Sequence, residues 1–216
     1  MIRLVCLLIG YLFGTIQTAV IYGKMKGVDI RKVGSGNAGT TNTLRVMGAK
    51  AGFTVLFGDM LKCILAVVLV TLLFKNSYPD MVYLLKIYAA LGCVLGHDFP
   101  VMLKFKGGKG IAVTCGYIIA LQPIMVPVYI IVFLIPFLIT HFVSLGSLVL
   151  YTVFFIQIVI CGQLGWFEMS QVYLIEMYVI TFLMTVLAFW QHRGNIKKLM
   201  NGEERKTYIF KKNKID

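Results

Sequence analysis

Apolar runs recur along this chain at lengths that match a lipid bilayer, and nothing else constrains its fold as strongly. Residues 2–22, 51–74, 123–140, 143–161 and 171–191 are each close to the ~20 residues that a helix needs to cross. The run 81–96 is shorter and crosses with little tilt, at ~1.5 Å per residue against a core of ~30 Å. Residues 110–121 reach through only about half a bilayer. Within lipid, backbone groups must bond one another, so such runs become helices. The expected fold is an all-α, polytopic bundle of about seven spanning or partly spanning helices, with residues 1–216 forming one membrane-embedded domain. A composition that is 59% hydrophobic and only 14% charged excludes an ordinary soluble domain.

The charge is unevenly placed. Net charge is +12, and 17 of the 21 basic residues fall in three blocks, 24–50, 104–109 and 193–214. There is no soluble basic domain to bind nucleic acid. Basic loops are retained on the cytoplasmic side, near anionic lipid. If all three blocks lie there, the crossings between consecutive blocks must be even in number. Two runs separate the first and second blocks, and four separate the second and third if 110–121 counts as one. The N-terminus is then outside. If 110–121 only dips into the membrane or merges with its neighbour, a five-crossing bundle remains. A truncated helix beside a Gly-rich loop points to a pocket, because irregular backbone at membrane depth needs protein or water around it.

Cys6, Cys63, Cys93, Cys115 and Cys161 are odd in number, far apart and set in or beside apolar stretches. That spacing fits buried thiols rather than a metal site or disulfides. The N-terminal run lacks a clear A-x-A cleavage site and reads as a retained first helix.

The polar blocks carry the chemistry. "KFKGGKG", Lys104–Gly110, sets three lysines and three glycines just before the run 110–121. Glycines let several N–H groups converge on an anion, lysines add countercharge, and a helix start adds its own unpaired N–H groups. Gly107, Gly108, Gly110, Lys104 and Lys109 are therefore candidate phosphate ligands, against the plainer reading of a topology-setting loop. The first block holds "VGSGNAGTTNTLR", Val33–Arg45. Ser35, Asn37 and Asn42 can donate to phosphate oxygens, and Arg45 can grip phosphate with a two-pronged fork. The stretch lacks the Gly-Lys-Ser/Thr ending of a Walker loop and the preceding strand of a dinucleotide fingerprint. Its alternative is a polar turn capping the next helix. The third block opens with "HRGNIKKLMNGEE", His192–Glu204. His192 can take a proton near neutral pH, and Asn195, three residues on, shares its helical face. His97 competes with it; His141 lacks polar company. Asp59 and Lys62 stand inside a span at i, i+3, where charge is costly and tends to pair or to face a cavity; a structural ion pair is expected, with a direct substrate contact as the alternative.

These blocks suit a reaction between anions at a lipid interface, in which a headgroup precursor meets an acyl or prenyl donor. No DxxD, HxxxH or paired-carboxylate pattern occurs, so a metal centre is not expected. A transporter of a phosphorylated small molecule is the alternative, although no repeat supports it. A phosphatidyl- or prenyltransferase would need the Asp-rich motifs that are missing.

Here the residues resemble a family, the bacterial PlsY membrane acyltransferases, which acylate glycerol 3-phosphate from acyl phosphate. "GSGNAGTTN…R" resembles GSGNxGATNxxR, "GHDFPVMLKFKGGKGIAV" resembles the second family motif, "HRGNIKKLMNGEE" resembles HRxNIxRLxxGxE, and "GDMLK" resembles GDxxKG. The departures are Thr40 for alanine, Cys63 for glycine, Val113 displacing the common Val-Ala-Thr, and Lys198 for arginine. The resemblance implies a monomer in the bacterial plasma membrane whose site faces the cytoplasm. It implies no metal or cofactor, and the first acylation of phospholipid synthesis, giving 1-acyl-glycerol 3-phosphate and phosphate. Ser35, Arg45, His192 and Asn195 would be needed for activity. Gly107, Gly108 and Gly110 with Lys104 would bind glycerol 3-phosphate, and Glu203 would serve structural integrity beside Asp59 and Lys62. The hydroxyl proton would go either to His192 or to a substrate phosphate oxygen, and the second is favoured because that oxygen already lies beside the carbonyl.

Overall fold

A computed structural model describes residues 1–209 and 213. Lys211, Lys212 and Lys214 of the third basic block lie outside the described residues. The described residues form an all-α integral membrane bundle, with six segments long and apolar enough to cross. The helices are α1 (Ile2–Gly14), α2 (Thr18–Met25), α3 (Thr40–Met47), α4 (Ala49–Phe74), α5 (Val82–Asp98), α6 (Ile111–Leu121), α7 (Val126–Thr140), α8 (Val143–Gln163), α9 (Gln171–Gln191) and α10 (Arg193–Met200).

The first apolar run was expected to be one helix; it breaks between Gly14 and Thr18. A break at that depth leaves carbonyls without partners. Lys62 of α4 supplies them, its Nζ donating to the carbonyls of Ile16 (2.6 Å) and Gly14 (3.2 Å). Gln17 Nε2 bridges the Gly14 carbonyl to that of His97 on α5. Asp59 completes the staple: its Oδ1 lies 2.9 Å from Lys62 Nζ and accepts from the Thr18 hydroxyl, at the first residue of α2, also at 2.9 Å. The charged pair inside the second long span thus holds a broken helix together. Lys62 also donates to His97 Nδ1 at 2.9 Å, which leaves the ring proton on Nε2.

α1 lies hard against α5. A Cβ at Gly10 would come within 1.9 Å of the Ala89 carbonyl oxygen, and one at Gly92 within 2.0 Å of that of Leu7. Such close backbone approach is the usual way helices associate in lipid, where apolar side chains gain little by leaving one apolar medium for another. At the end of the bundle away from the basic blocks, Arg3 of α1 pairs with Glu176 of α9 at 2.6 Å, and Tyr88 of α5 donates to the same carboxylate.

The half-length helix behaves as the sequence suggested. α6 ends at Leu121 and Pro123 restarts the chain, whose missing N–H costs nothing at a helix start. α7 then returns toward the end where α6 began, since the Thr207 amide bonds the His141 carbonyl just past α7. α6 packs on α4 and α5, whereas α7 packs on α8. Both arms pack on the turn at Pro123–Met125. The result is a V whose mouth lies at the basic end of the bundle. Ile131, Ile135, Leu138 and Ile139 of α7 are exposed, as a lipid-facing surface requires.

Candidate active site

The first block is a braced loop. Asn42 is buried, accepts from the Ser35 amide at 2.8 Å, and donates to the carbonyls of Ile30 and Val33 at 3.0 and 3.1 Å. Its carboxamide is thereby used up. Asn42 was expected among the phosphate ligands; it instead shapes the loop that presents Ser35 and Asn37. α3 follows, and Thr40, Thr41 and Arg45 line a common cavity with Ser35, Gly36 and Asn37. Arg45 is fixed from the far end of the chain. Its Nε and Nη2 reach the Thr207 hydroxyl at 3.0 and 2.7 Å, and Nη2 reaches the Arg205 carbonyl at 2.8 Å. Burial lowers the Arg45 pKa below its ordinary value, partly opposed by Glu204, though a guanidinium stays charged.

The second block departs from the expected nest of free amides. The Gly107 and Gly108 N–H groups fold back onto the carbonyls of Asp98 and His97, each at 3.0 Å. These glycines are needed for room. A Cβ on Gly107 would lie 1.9 Å from the His97 oxygen, and one on Gly108 would lie 2.1 Å from His97 Nε2. Gly110 sits at φ +74° and caps α6 without a side chain. The donors offered to the cavity are therefore the first-turn amides of α6, beside Gly110, Ile111 and Ala112 in its wall. Of the three lysines, Lys104 is exposed at the rim in the left-handed region, φ 53°. Lys109 turns inward, and its Nζ donates to Asn195 Oδ1. Burial holds the Lys109 pKa down; Glu204 opposes this, and Arg45, Lys198 and Arg193 add to the fall.

In the third block α9 ends at His192 and α10 begins at Arg193. His192 Nδ1 lies 2.8 Å from the Ala188 carbonyl, which can only accept, so Nδ1 carries the proton and Nε2 is free to accept. Burial first, and then the charge of Lys109, bring the His192 pKa down to about 4. The ring is neutral at physiological pH. Asn195 links two partners: it accepts from Lys109 and donates from Nδ2 to Glu204 at 2.8 Å. The Ser144 hydroxyl also donates to Glu204 at 2.8 Å.

This arrangement corrects the expectation for Glu203. Glu203 is exposed, whereas Glu204 is buried and holds Asn195. Gly202, at φ +72°, turns the chain after α10 so that the first glutamate faces out and the second in. The spacing of HRxNIxRLxxGxE places its last acid at residue 204, so the signal was present in the motif. Thr207 and Ser144 carried no such signal. Their roles arise from contacts across 162 and 60 residues. Asp59 and Lys62 form the expected ion pair, and Asp59 and His97 also touch the cavity wall.

All three blocks line one cavity of about 1270 Å³. Arg45, Lys104, Lys109, His192 and Asn195 share its mouth, and below them it runs between the arms of the V past Ile118, Ile119, Val126, Tyr129, Ile130 and Phe133. Seven basic side chains line it against three acidic ones, and two of the acids, Asp29 and Asp59, are already paired with Arg31 and Lys62. The mouth therefore favours an anion and the depth an apolar chain.

Comparison with known proteins gives the same assignment along nearly the whole length. A family model described as glycerol-3-phosphate acyltransferase matches residues 4–202. A glycerol-3-phosphate acyltransferase of Halalkalibacterium halodurans is 37% identical over 197 residues, covering 91% of both chains. One of Bacillus subtilis is 36% identical over 204 residues, covering 93% of this chain and 95% of its own. The crystal structure of PlsY (YgiH), an integral membrane glycerol 3-phosphate acyltransferase in its glycerol 3-phosphate form, superposes with a TM-score of 0.82 at 32% identity, covering 95% of this chain and 96% of that one. Its lysophosphatidic acid form superposes with a TM-score of 0.79. On these grounds the chain belongs to the glycerol-3-phosphate acyltransferase family.

Proposed function

We propose that this chain transfers a fatty acyl group from acyl phosphate to the 1-hydroxyl of glycerol 3-phosphate, at the cytoplasmic face of a bacterial plasma membrane. The products are 1-acyl-glycerol 3-phosphate and phosphate. One observation carries the reading: a strongly basic mouth is continuous with an apolar cavity between membrane helices, so one site suits both an anionic head and a lipid tail. The solved relatives are described as glycerol 3-phosphate and lysophosphatidic acid forms, which are an acceptor and a product of this reaction. The three basic blocks on one end of the bundle support the cytoplasmic orientation.

Acyl phosphate is a mixed anhydride with a good leaving group, so alignment and charge stabilisation do most of the catalysis. Arg45, Lys109, Ser35 and the start of α6 hold phosphate oxygens. Lys104 adds charge at the rim. Asn195, fixed by Glu204, keeps Lys109 in place. The glycerol hydroxyl oxygen attacks the acyl carbon, and the carbon–oxygen bond to phosphate breaks. The proton passes to a phosphate oxygen. His192 Nε2 accepts a hydrogen bond from the hydroxyl and orients it, because a ring with a pKa of about 4 is a weak base. The chemistry calls for no metal or nucleotide, and the protein acts as a monomer.

The test is incubation of purified protein in micelles with glycerol 3-phosphate and, in turn, acyl phosphate, acyl-CoA and acyl carrier protein thioester. Lysophosphatidate is expected from acyl phosphate, with turnover unchanged by EDTA. Product from a thioester alone would overturn the donor assignment, and loss of activity with EDTA would move the reaction to metal-dependent transfer.

A further inference from the structure

The apolar cavity ends in a polar cluster that the transfer chemistry does not use. Tyr129 lies one turn into α7, is only 4% exposed and forms part of the cavity wall. Helical side chains lean toward their N-terminus, which carries the Tyr129 ring toward the apex of the V. Its hydroxyl donates to Gln157 Oε1 of α8. Gln157 Nε2 in turn donates to Gln122 Oε1 at 2.6 Å, at the end of α6, and contacts Cys161 Sγ at 2.9 Å. Tyr129 packs edge-on against Phe154, with ring centroids 5.9 Å apart, and Phe154 packs edge-on against Tyr117. The cluster ties α6, α7 and α8 together where the two arms meet. Polar groups at this depth are costly and persist where a role retains them.

We infer that Tyr129, held by Gln157 and Gln122, is the floor of the acyl-chain channel and sets the longest chain the enzyme accepts. This rests on the acyl-transfer reading above. Along α7, from Phe137 at the upper wall to Val126 at the apex, the channel is about 16 Å deep, at ~1.5 Å per residue. A chain that fills this depth gains contact with each methylene, and a longer one meets a ring that cannot swing aside without breaking its hydrogen bond.

The test measures lysophosphatidate formed from a series of saturated acyl phosphates, decanoyl to eicosanoyl, at fixed glycerol 3-phosphate. Tyr129→Ala opens the floor, and Leu134→Trp, in the cavity wall about one turn above it on α7, raises it. Tyr129→Ala is expected to increase the rate on the longest donors relative to the shortest by roughly tenfold, the scale of one or two methylenes in an apolar pocket. Leu134→Trp should shift the ratio by a similar factor the other way. The KM for glycerol 3-phosphate stays unchanged in both, since neither residue touches the basic mouth. An unchanged length profile in a folded variant, or a uniform loss across all lengths, overturns the inference. If Tyr129→Ala fails to fold, Leu134→Trp decides. A wild-type protein inactive on every acyl phosphate sinks the transfer reading itself, a result distinct from a profile that does not move.

Discussion

Two clusters of buried or half-buried charge lie near the basic end of this bundle, and they are built differently. Around Lys62 three ammonium hydrogens are shared among four acceptors: Asp59, the Gly14 and Ile16 carbonyls, and His97. Around Arg45 and Lys109 the cations outnumber the carboxylates, and Glu204 is the acid between them. The first cluster is balanced and closes a break in the fold. The second is unbalanced in favour of positive charge, and it stands at the open mouth of a cavity. Charge saturated by the protein serves structure, whereas charge left in excess at a cavity is open to the anionic substrate of the proposed reaction. Sign and burial alone would not separate the two; the partner list does.

Substitutions should break this contrast in graded steps. The largest effect is on stability. Lys62→Met leaves the Asp59 carboxylate buried without its cation, at a cost of about 3–5 kcal/mol, and thermal unfolding in detergent should show it. Adding Asp59→Asn should recover part of that loss, whereas no recovery would mean the two charges act apart. Arg45→Ala comes next and strikes activity. It should lower kcat/KM by ~2–4 kcal/mol, about 10²–10³-fold, with a near-normal melting temperature. Equal losses of stability and activity there would make Arg45 a second structural cation.

The third step separates neighbours. Glu204→Gln should cost about 1–3 kcal/mol in stability or activity, because it weakens the acceptor shared by Asn195 and Ser144. Glu203→Gln, on the exposed side, should change neither assay measurably. The smallest effect belongs to His192→Gln, which should retain turnover within about tenfold of wild type, whereas loss beyond roughly 100-fold would identify His192 as the general base. With its pKa down near 4, His192 stays neutral from about pH 5.5 to 8, so the rate should show no inflection near the ordinary histidine value in that window. The linkage sign follows: the unfolded ring takes up a proton first as pH falls. His192 therefore costs no stability above pH 6.5 and erodes it progressively from 6.5 toward 4.

Much of the bundle was readable from hydropathy because membrane helices are selected by length and polarity alone. The span 171–191 and the half-length α6 appear as expected, and Pro123 punctuates the chain where a proline can. The break in the first run was not readable. Nothing in "GTIQT" forbids a helix there, and the break depends on Lys62 arriving from a helix 46 residues away to donate to the loose carbonyls. At the site, Ser35, Arg45, Lys109, His192 and Asn195 stand out because charged, hydroxyl and amide groups are rare beside such apolar runs. Asn42 and Glu203 were given the wrong task for a related reason. Residue type shows what a side chain can bond, whereas the neighbouring backbone decides whether that capacity is already spent.

By itself the sequence determined that the chain is a membrane bundle with its basic and polar residues gathered in three blocks, because those properties are sums over local composition. Only the tertiary structure decided that α6 and α7 splay into a V, that Thr207 and Glu204 hold Arg45 and Asn195, and that an apolar channel opens beneath them. Those features depend on contacts between residues distant in the chain, and no local pattern encodes which distant group will arrive.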